Sequence, residues 1–228
     1  MIGIIAAMEK ELAFLKKYIE NPVTRVISGV SFISGKIYGR DVVAAVCGIG
    51  KVNAAVCAQS MMLTYAPDCV INTGVAGSLS GDLHISDVVA ADKLVQHDVD
   101  TTALGDAPGF VSTVNTVYFP TDEALACALL KAMKVTGVNG TSGTIATGDQ
   151  FVCTKAQKQL IAERFGAVAC EMEGGAIAHA CLLNKTPCAI LRAISDGADE
   201  DADMSYSAFA EKAAENSAKT LLSFIQNF

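Results

Sequence analysis

Ala169-Cys170-Glu171-Met172-Glu173-Gly174-Gly175 sets two carboxylates around a methionine at the end of an apolar stretch. A second apolar run, Cys188-Ala189-Ile190-Leu191-Arg192-Ala193-Ile194-Ser195-Asp196, closes in the same way. Strands buried on both faces read as near-continuous apolar runs, so their charged residues gather at the strand ends. Open α/β folds bind ligands at those carboxyl ends. The two stretches therefore point to an α/β fold and put Glu173, Arg192 and Asp196 forward as reacting groups.

Outward from these runs, strands and helices alternate. Ile2–Ala6 reads as a buried strand, with a helix from about Met8 to Tyr18. Three short β-rich pieces follow at Val23–Ile27, Phe32–Tyr38 and Asp41–Cys47, punctuated by Gly29, Gly35 and Gly39. The Ala-rich segment Lys51–Tyr65 is helical, and Pro67-Asp68 stops it. Further strands are expected at Cys69–Asn72, Ile85–Leu94, Thr141–Ala146, before Glu171, and at Cys188–Ile194. Helices are expected at Thr121–Met133, Thr154–Phe165, Gly174–Leu183 and from Ser205, as N-cap, to about Ile225. There is no Pro/Gly/Ser-rich linker and no repeat, so the reading is one three-layer α/β/α domain, residues 1–228, around a mixed sheet.

The composition fits a cored enzyme-sized domain. The chain has 228 residues, 51% hydrophobic and 18% charged, which argues against disorder. A net charge of −7 gives a nucleic acid or an anionic membrane no electrostatic handle. MIGIIAAM lacks a basic flank and is too short for a signal segment, and no apolar run approaches spanning length. Cys47, Cys57, Cys69, Cys127, Cys170, Cys181 and Cys188 sit in apolar runs without a C-x-x-C pair, which reads as buried free thiols in a reducing cytoplasm.

The remaining motifs are weak alone. Gly48-Ile49-Gly50-Lys51 and Gly74-Val75-Ala76-Gly77 read as strand-to-helix turns. Glycine there lets backbone N–H groups come close to a ligand. Ala45 and Val52 break the P-loop pattern. Asp199-Glu200-Asp201-Ala202-Asp203 starts like a calcium loop but has Met204 and Ala210 where glycine and glutamate are required, and reads as a solvated loop. His97-Asp98-Val99-Asp100 reads as structural hydrogen bonding. No metal or cofactor is expected. Met8 and Glu11 share a helix face, one able to line an apolar pocket while the other offers a carboxylate.

In order, IGIIAAMEKEL from Ile2, GIGKVNAA from Gly48, INTGVAG from Ile71, GDQFV from Gly148, ACEMEGGAIAH from Ala169 and RAISDGAD from Arg192 span almost the whole chain. Their combination resembles the bacterial 5′-methylthioadenosine/S-adenosylhomocysteine nucleosidases of the purine nucleoside phosphorylase superfamily. The resemblance implies hydrolysis of the adenine–ribose bond through an oxocarbenium-like transition state, as part of methionine salvage. By that resemblance Asp196 is the acid for adenine N7, Glu11 the base for water, Glu173 the ribose ligand, and Arg192 the group that orders water and carboxylates. Phe151 would stack on adenine, the Val152 backbone would pair with its edge, and Gly77 would give a close backbone contact. Met172 would lie beneath the sugar, with Met8, Ile49 and Tyr206 around the 5′-substituent. Thr101, Leu104 and Pro108 would come from a second subunit of a homodimer. Val75 stands where many relatives carry serine, so a hydroxyl that would orient the acid is missing. The preferred nucleoside among methylthioadenosine, S-adenosylhomocysteine, 5′-deoxyadenosine and aminofutalosine stays open. So do two other readings: a phosphorylase on the same fold, or a non-catalytic purine binder.

Overall fold

A computed structural model describes residues 1–199 and 201–228. Its strands are β1 (Ile2–Ala6), β2 (Glu20–Ile27), β3 (Val30–Ile37), β4 (Arg40–Val46), β5 (Cys69–Ser78), β6 (Val88–Gln96), β7 (Tyr118–Pro120), β8 (Gly140–Thr147), β9 (Ala167–Glu171) and β10 (Cys188–Asp196). Its α-helices are α1 (Glu9–Lys16), α2 (Lys51–Tyr65), α3 (Glu123–Thr136), α4 (Lys155–Phe165), α5 (Gly174–Asn184) and α6 (Ala202–Asn227).

All ten strands belong to one mixed sheet. On one side it runs β5-β1-β4-β3-β2, with β1 parallel to both β4 and β5. On the other side β5, β10, β6, β8 and β9 close on themselves, because β10 pairs with β5 and β6 while β9 returns to β5. The three-layer expectation is therefore met by a sheet that is half open and half a closed ring.

Alternation along β1 shows how the layers form. Ile2 and Ile4 join the cluster holding Leu12 and Leu15 of α1, Leu129 of α3 and Leu221 of α6. Ile5 joins the opposite cluster, with Met61 of α2 and Ile177 of α5. Successive strand side chains point to opposite faces, so a strand covered on both sides needs apolar residues at every position. All five residues of β1 are buried.

Four expectations need correction. Gly74-Val75-Ala76-Gly77 is not a turn: β5 continues through it to Ser78, wholly buried. The last helix starts at Ala202, with Asp201 as its N-cap, and Ser205 lies inside it, donating its N–H to Asp201 O at 3.0 Å. The acidic run is thus not simply a loop: Asp203 sits in the first turn of α6, where the helix dipole favours it. Glu200 lies outside the described residues. Cys127 is exposed, because its apolar run is the helix α3, which turns one face to solvent; Cys153 is exposed too, and the other six thiols are buried and free. The short strand β7 carried no signal of its own.

Among the described residues no helix is long and apolar enough to cross a membrane. Phe32 on β3 is fully buried and packs against Tyr65 at the end of α2, ring centroids 5.6 Å apart. Phe32→Ala should lower stability by about 3–5 kcal/mol. Urea denaturation should show a lower midpoint at unchanged slope.

Candidate active site

The carboxyl ends of β1, β4, β5, β9 and β10 meet around one cavity of about 250 Å³. Met8, Glu11, Ile49, Gly77, Phe151, Met172, Glu173, Asp196 and Tyr206 all line it, so most of the residues singled out in the sequence come together. Val152 faces a small adjoining recess shared with Gly77, Phe151 and Asp196. Thr101, Leu104 and Pro108 are absent from this lining. Thr101 donates its hydroxyl to Asp106 at 2.7 Å, and Leu104 is 83% exposed.

Arg192 meets the neighbouring carboxylates from outside the cavity lining. It is fully buried beneath the cavity and does not line it. Its Nη2 donates to Asn72 Oδ1 at 2.6 Å and to Glu171, and lies 3.5 Å from Glu173 Oε2. Burial works against the cation, but Glu171, Glu173 and Glu11 outweigh it and hold its proton more firmly than usual.

Glu11 is almost fully buried. Its Oε2 accepts the Ala7 and Met8 N–H groups, each at 2.9 Å, and its Oε1 accepts Val75 N–H at 3.0 Å. Three backbone donors and Arg192 favour the carboxylate, yet burial outweighs them and raises its pKa. Burial, and then neighbouring Glu171, push Glu173 up to about 7 against the pull of Arg192 and of Gly50 N–H, which donates to Oε1 at 2.8 Å. Asp196 is raised by burial as well, although Ser195 Oγ donates to Oδ2 at 2.8 Å and Ala198 N–H to Oδ1 at 3.0 Å.

The glycines of β5 make room for these side chains. A Cβ at Gly74 would collide with Arg192 Nη1 and Glu11 Oε1, and one at Gly77 would sit 2.7 Å from Asp196 Oδ1. The strand thus gives way to side chains arriving from two other elements, α1 and β10.

At the open end, Phe151 meets Tyr206 edge-on at 5.8 Å, and the Tyr206 hydroxyl contacts Met8 Sδ at 3.1 Å. Lys10 Nζ lies 4.2 Å from the Tyr206 ring centroid. Ile49 and Phe151 remain about half exposed there.

Two contributors were not singled out in the sequence. Glu171 is the main partner of Arg192, and also accepts the Thr147 hydroxyl and the N–H groups of Glu173 and Gly174. It had the same local signal as Glu173, two residues away. Ser195 supplies the hydroxyl that Val75 lacks; its place beside Asp196 was the available clue.

A family model described as the phosphorylase superfamily matches residues 1–226. The 5′-methylthioadenosine/S-adenosylhomocysteine nucleosidase of Shewanella sediminis is 38% identical over 227 residues, covering 99% of this chain and 98% of its own. The chain belongs to this nucleosidase family. Its fold superposes on the nucleosidase of Neisseria meningitidis, solved in complex with methylthio-immucillin-A, with a TM-score of 0.97 and 39% identity, covering 100% of this chain and 99% of that one. A futalosine hydrolase from Helicobacter pylori matches with a TM-score of 0.96 and 37% identity, covering 100% and 97%. Both are full-length matches, so the nucleosidase fold is shared from end to end.

Replacing Arg192 with methionine should cost about 3–5 kcal/mol, because the buried carboxylates lose their cation. The loss should depend on pH. Carboxyls raised in the folded state favour folding while protonated, and that contribution disappears as pH rises from the ordinary 4.5 through about 7. Arg192→Met should therefore be least impaired in mild acid and most impaired above neutrality, as read by thermal unfolding across pH.

Proposed function

We propose that the protein hydrolyses the N-glycosidic bond of 5′-methylthioadenosine and S-adenosylhomocysteine, releasing adenine and the 5-substituted ribose. The observation that carries hydrolysis over phosphorolysis is the charge of the cavity wall. Glu11, Glu171, Glu173 and Asp196 line it, and no lysine or arginine is among its described lining residues. A phosphate nucleophile needs a cationic cradle. Arg192 lies behind the wall and is already engaged by carboxylates.

In this reading adenine lies between Phe151 and the Gly77 strand, with its N7 toward Asp196. Burial raises the pKa of Asp196, which favours the protonated form that an acid needs. As the N9–C1′ bond breaks, its electron pair goes to the base, and Asp196 delivers a proton to N7. Positive charge grows on the sugar, which Glu173 holds by its hydroxyls above Met172. A water attacks C1′, and Glu11 takes its proton; three backbone N–H donors fix that carboxylate in place. Arg192 sets the spacing of the carboxylates, and Ser195 aims the acid. Met8, Ile49 and Tyr206 receive the 5′-substituent. The match to a futalosine hydrolase supports a second substrate class, futalosine-type nucleosides, of which aminofutalosine carries the adenine this site is read to take.

The 5′-end is open in one chain, and the reading includes a homodimer in which Thr101, Leu104 and Pro108 of a second copy close it. Exposed apolar Leu104 supports this, as does the groove of about 530 Å³ between α2 and α5 lined by Val52, Val56 and Leu183.

Asp196→Asn should fold normally and lose about 10²–10⁴-fold in kcat while ligand affinity survives. Adenine release from 5′-methylthioadenosine should proceed without phosphate; strict phosphate dependence would make the protein a phosphorylase. Parallel rates on S-adenosylhomocysteine and aminofutalosine rank the substrates. Specific activity should also fall on dilution, and Leu104→Asp should weaken dimerisation and raise KM for thioalkyl nucleosides. A monomer by sedimentation with dilution-independent activity would refute the shared site.

A further inference from the structure

Gly50, Asp98 and Asp149 lie on three loops, after β4, β6 and β8, yet they converge on one spot behind Glu173. Gly50 precedes α2 with φ +98°, a conformation that favours glycine, and no side chain of its own caps the helix. Consecutive N–H groups there reach carboxylates from elsewhere in the chain. Gly50 N–H donates to Glu173 Oε1 at 2.8 Å, and Lys51 N–H donates to Asp149 Oδ1 at 2.7 Å. A Cβ at Gly50 would stand 3.0 Å from that same Asp149 oxygen, so loop and carboxylate are seated closely.

Asp98 braces the pair from behind. Its Oδ1 accepts Lys51 Nζ at 2.6 Å and its Oδ2 accepts Asp149 N–H at 2.9 Å. Lys51 and Asp98 are both largely shielded, with side chains 18% and 17% exposed. Such a pair is held more firmly than a solvated surface contact. Just beside it, His97 fills the space that a side chain at Gly148 would need.

Glu173 depends on this brace. Its other polar neighbour, Arg192 Nη2, lies at 3.5 Å, so the Gly50 N–H is the tighter anchor. Phe151 follows Asp149 by two residues. The loop that carries the ring is thus tied to the loop that fixes the carboxylate.

We propose that Asp149, backed by Asp98 and Lys51, is a positioning residue that holds the Gly48–Gly50 turn where Gly50 N–H sets Glu173 against the ribose hydroxyls. This rests on the assignment of Glu173 to those hydroxyls. A residue serving only as a helix cap would affect stability and leave substrate discrimination alone. A positioning residue acts through Glu173 and must fail to add to its loss.

The experiment measures adenine release by wild type, Asp149→Ala, Glu173→Gln and the double variant, on 5′-methylthioadenosine and its 2′,3′-dideoxy analogue. Asp149→Ala should reduce kcat/KM for 5′-methylthioadenosine by roughly ten- to a hundredfold, the scale of a misplaced reacting group. It should add little in the Glu173→Gln background, and little for the dideoxy analogue. Asp149→Asn, which keeps an acceptor oxygen, should restore most of the loss. If Asp149→Ala does not fold, Asp98→Asn and Lys51→Met must show the same non-additivity. Wild-type kcat/KM in Asp149→Ala, or losses that multiply with those of Glu173→Gln, would overturn the proposal. If Glu173→Gln itself leaves the preference for the ribose hydroxyls intact, the Glu173 assignment falls, and the proposal with it.

Discussion

One buried cation organises the site. Arg192 has no solvent to stabilise its charge, so it must be met by carboxylates, and Glu171 and Glu173 come to it from the end of β9. Taking such a charge out of water costs several kcal/mol unless the geometry is filled by partners. That cost fixes more than the ion pair. Glu171 must lie against Arg192, so β9 must end there; Gly74 must lack a side chain, so that Arg192 and Glu11 can approach β5. Elements β9, β5 and α1 are thus arranged around one guanidinium, whose hydrogen bonds among the described residues all run through Nη2.

A surplus of negative charge remains. Arg192 faces Glu171, Glu173 and Glu11; burial, and after it the charge of Glu171, raises Glu173, while burial alone raises Glu11. Such a wall repels anions and suits a cationic sugar. Asp196 stands apart from this cluster and is raised by burial. Burial thus tunes all three carboxyls, and of the two beside Arg192 only Glu173 feels charge crowding on top of it.

Most strands and helices were legible because burial on both faces leaves long apolar runs in the central strands, and because Pro67 and the glycines mark stops. Glu173 and Asp196 were legible as cavity residues because they stand at strand ends or just beyond, and Glu11 because it shares a helix face with Met8 just after β1. The glycine segment of β5 misled because local sequence carries no trace of what fills the space beside a missing Cβ; here that is Arg192, Glu11 and Asp196. Glu171 and Glu173 differ by two positions, and only the fold decides which one meets the arginine squarely. The Asp98–Lys51–Asp149 brace joins residues far apart in the chain, each unremarkable in its own surroundings. The ring closure of β5 through β9 and β10 had no local signature.

That ring has a mechanical consequence. An open sheet frays from its edges, and here the outer edge is β2, whose residues are largely exposed and which carries Pro22. Glu171 and Asp196 end strands of the closed half, where every strand has a neighbour on both sides. Thermal breathing at β2 and β3 can come and go without loosening Glu171 and Asp196, since loss of order there need not propagate around a closed circuit. The exposed edge strand thus lies at one end of the sheet, and Glu171 and Asp196 are carried by the closed ring at the other.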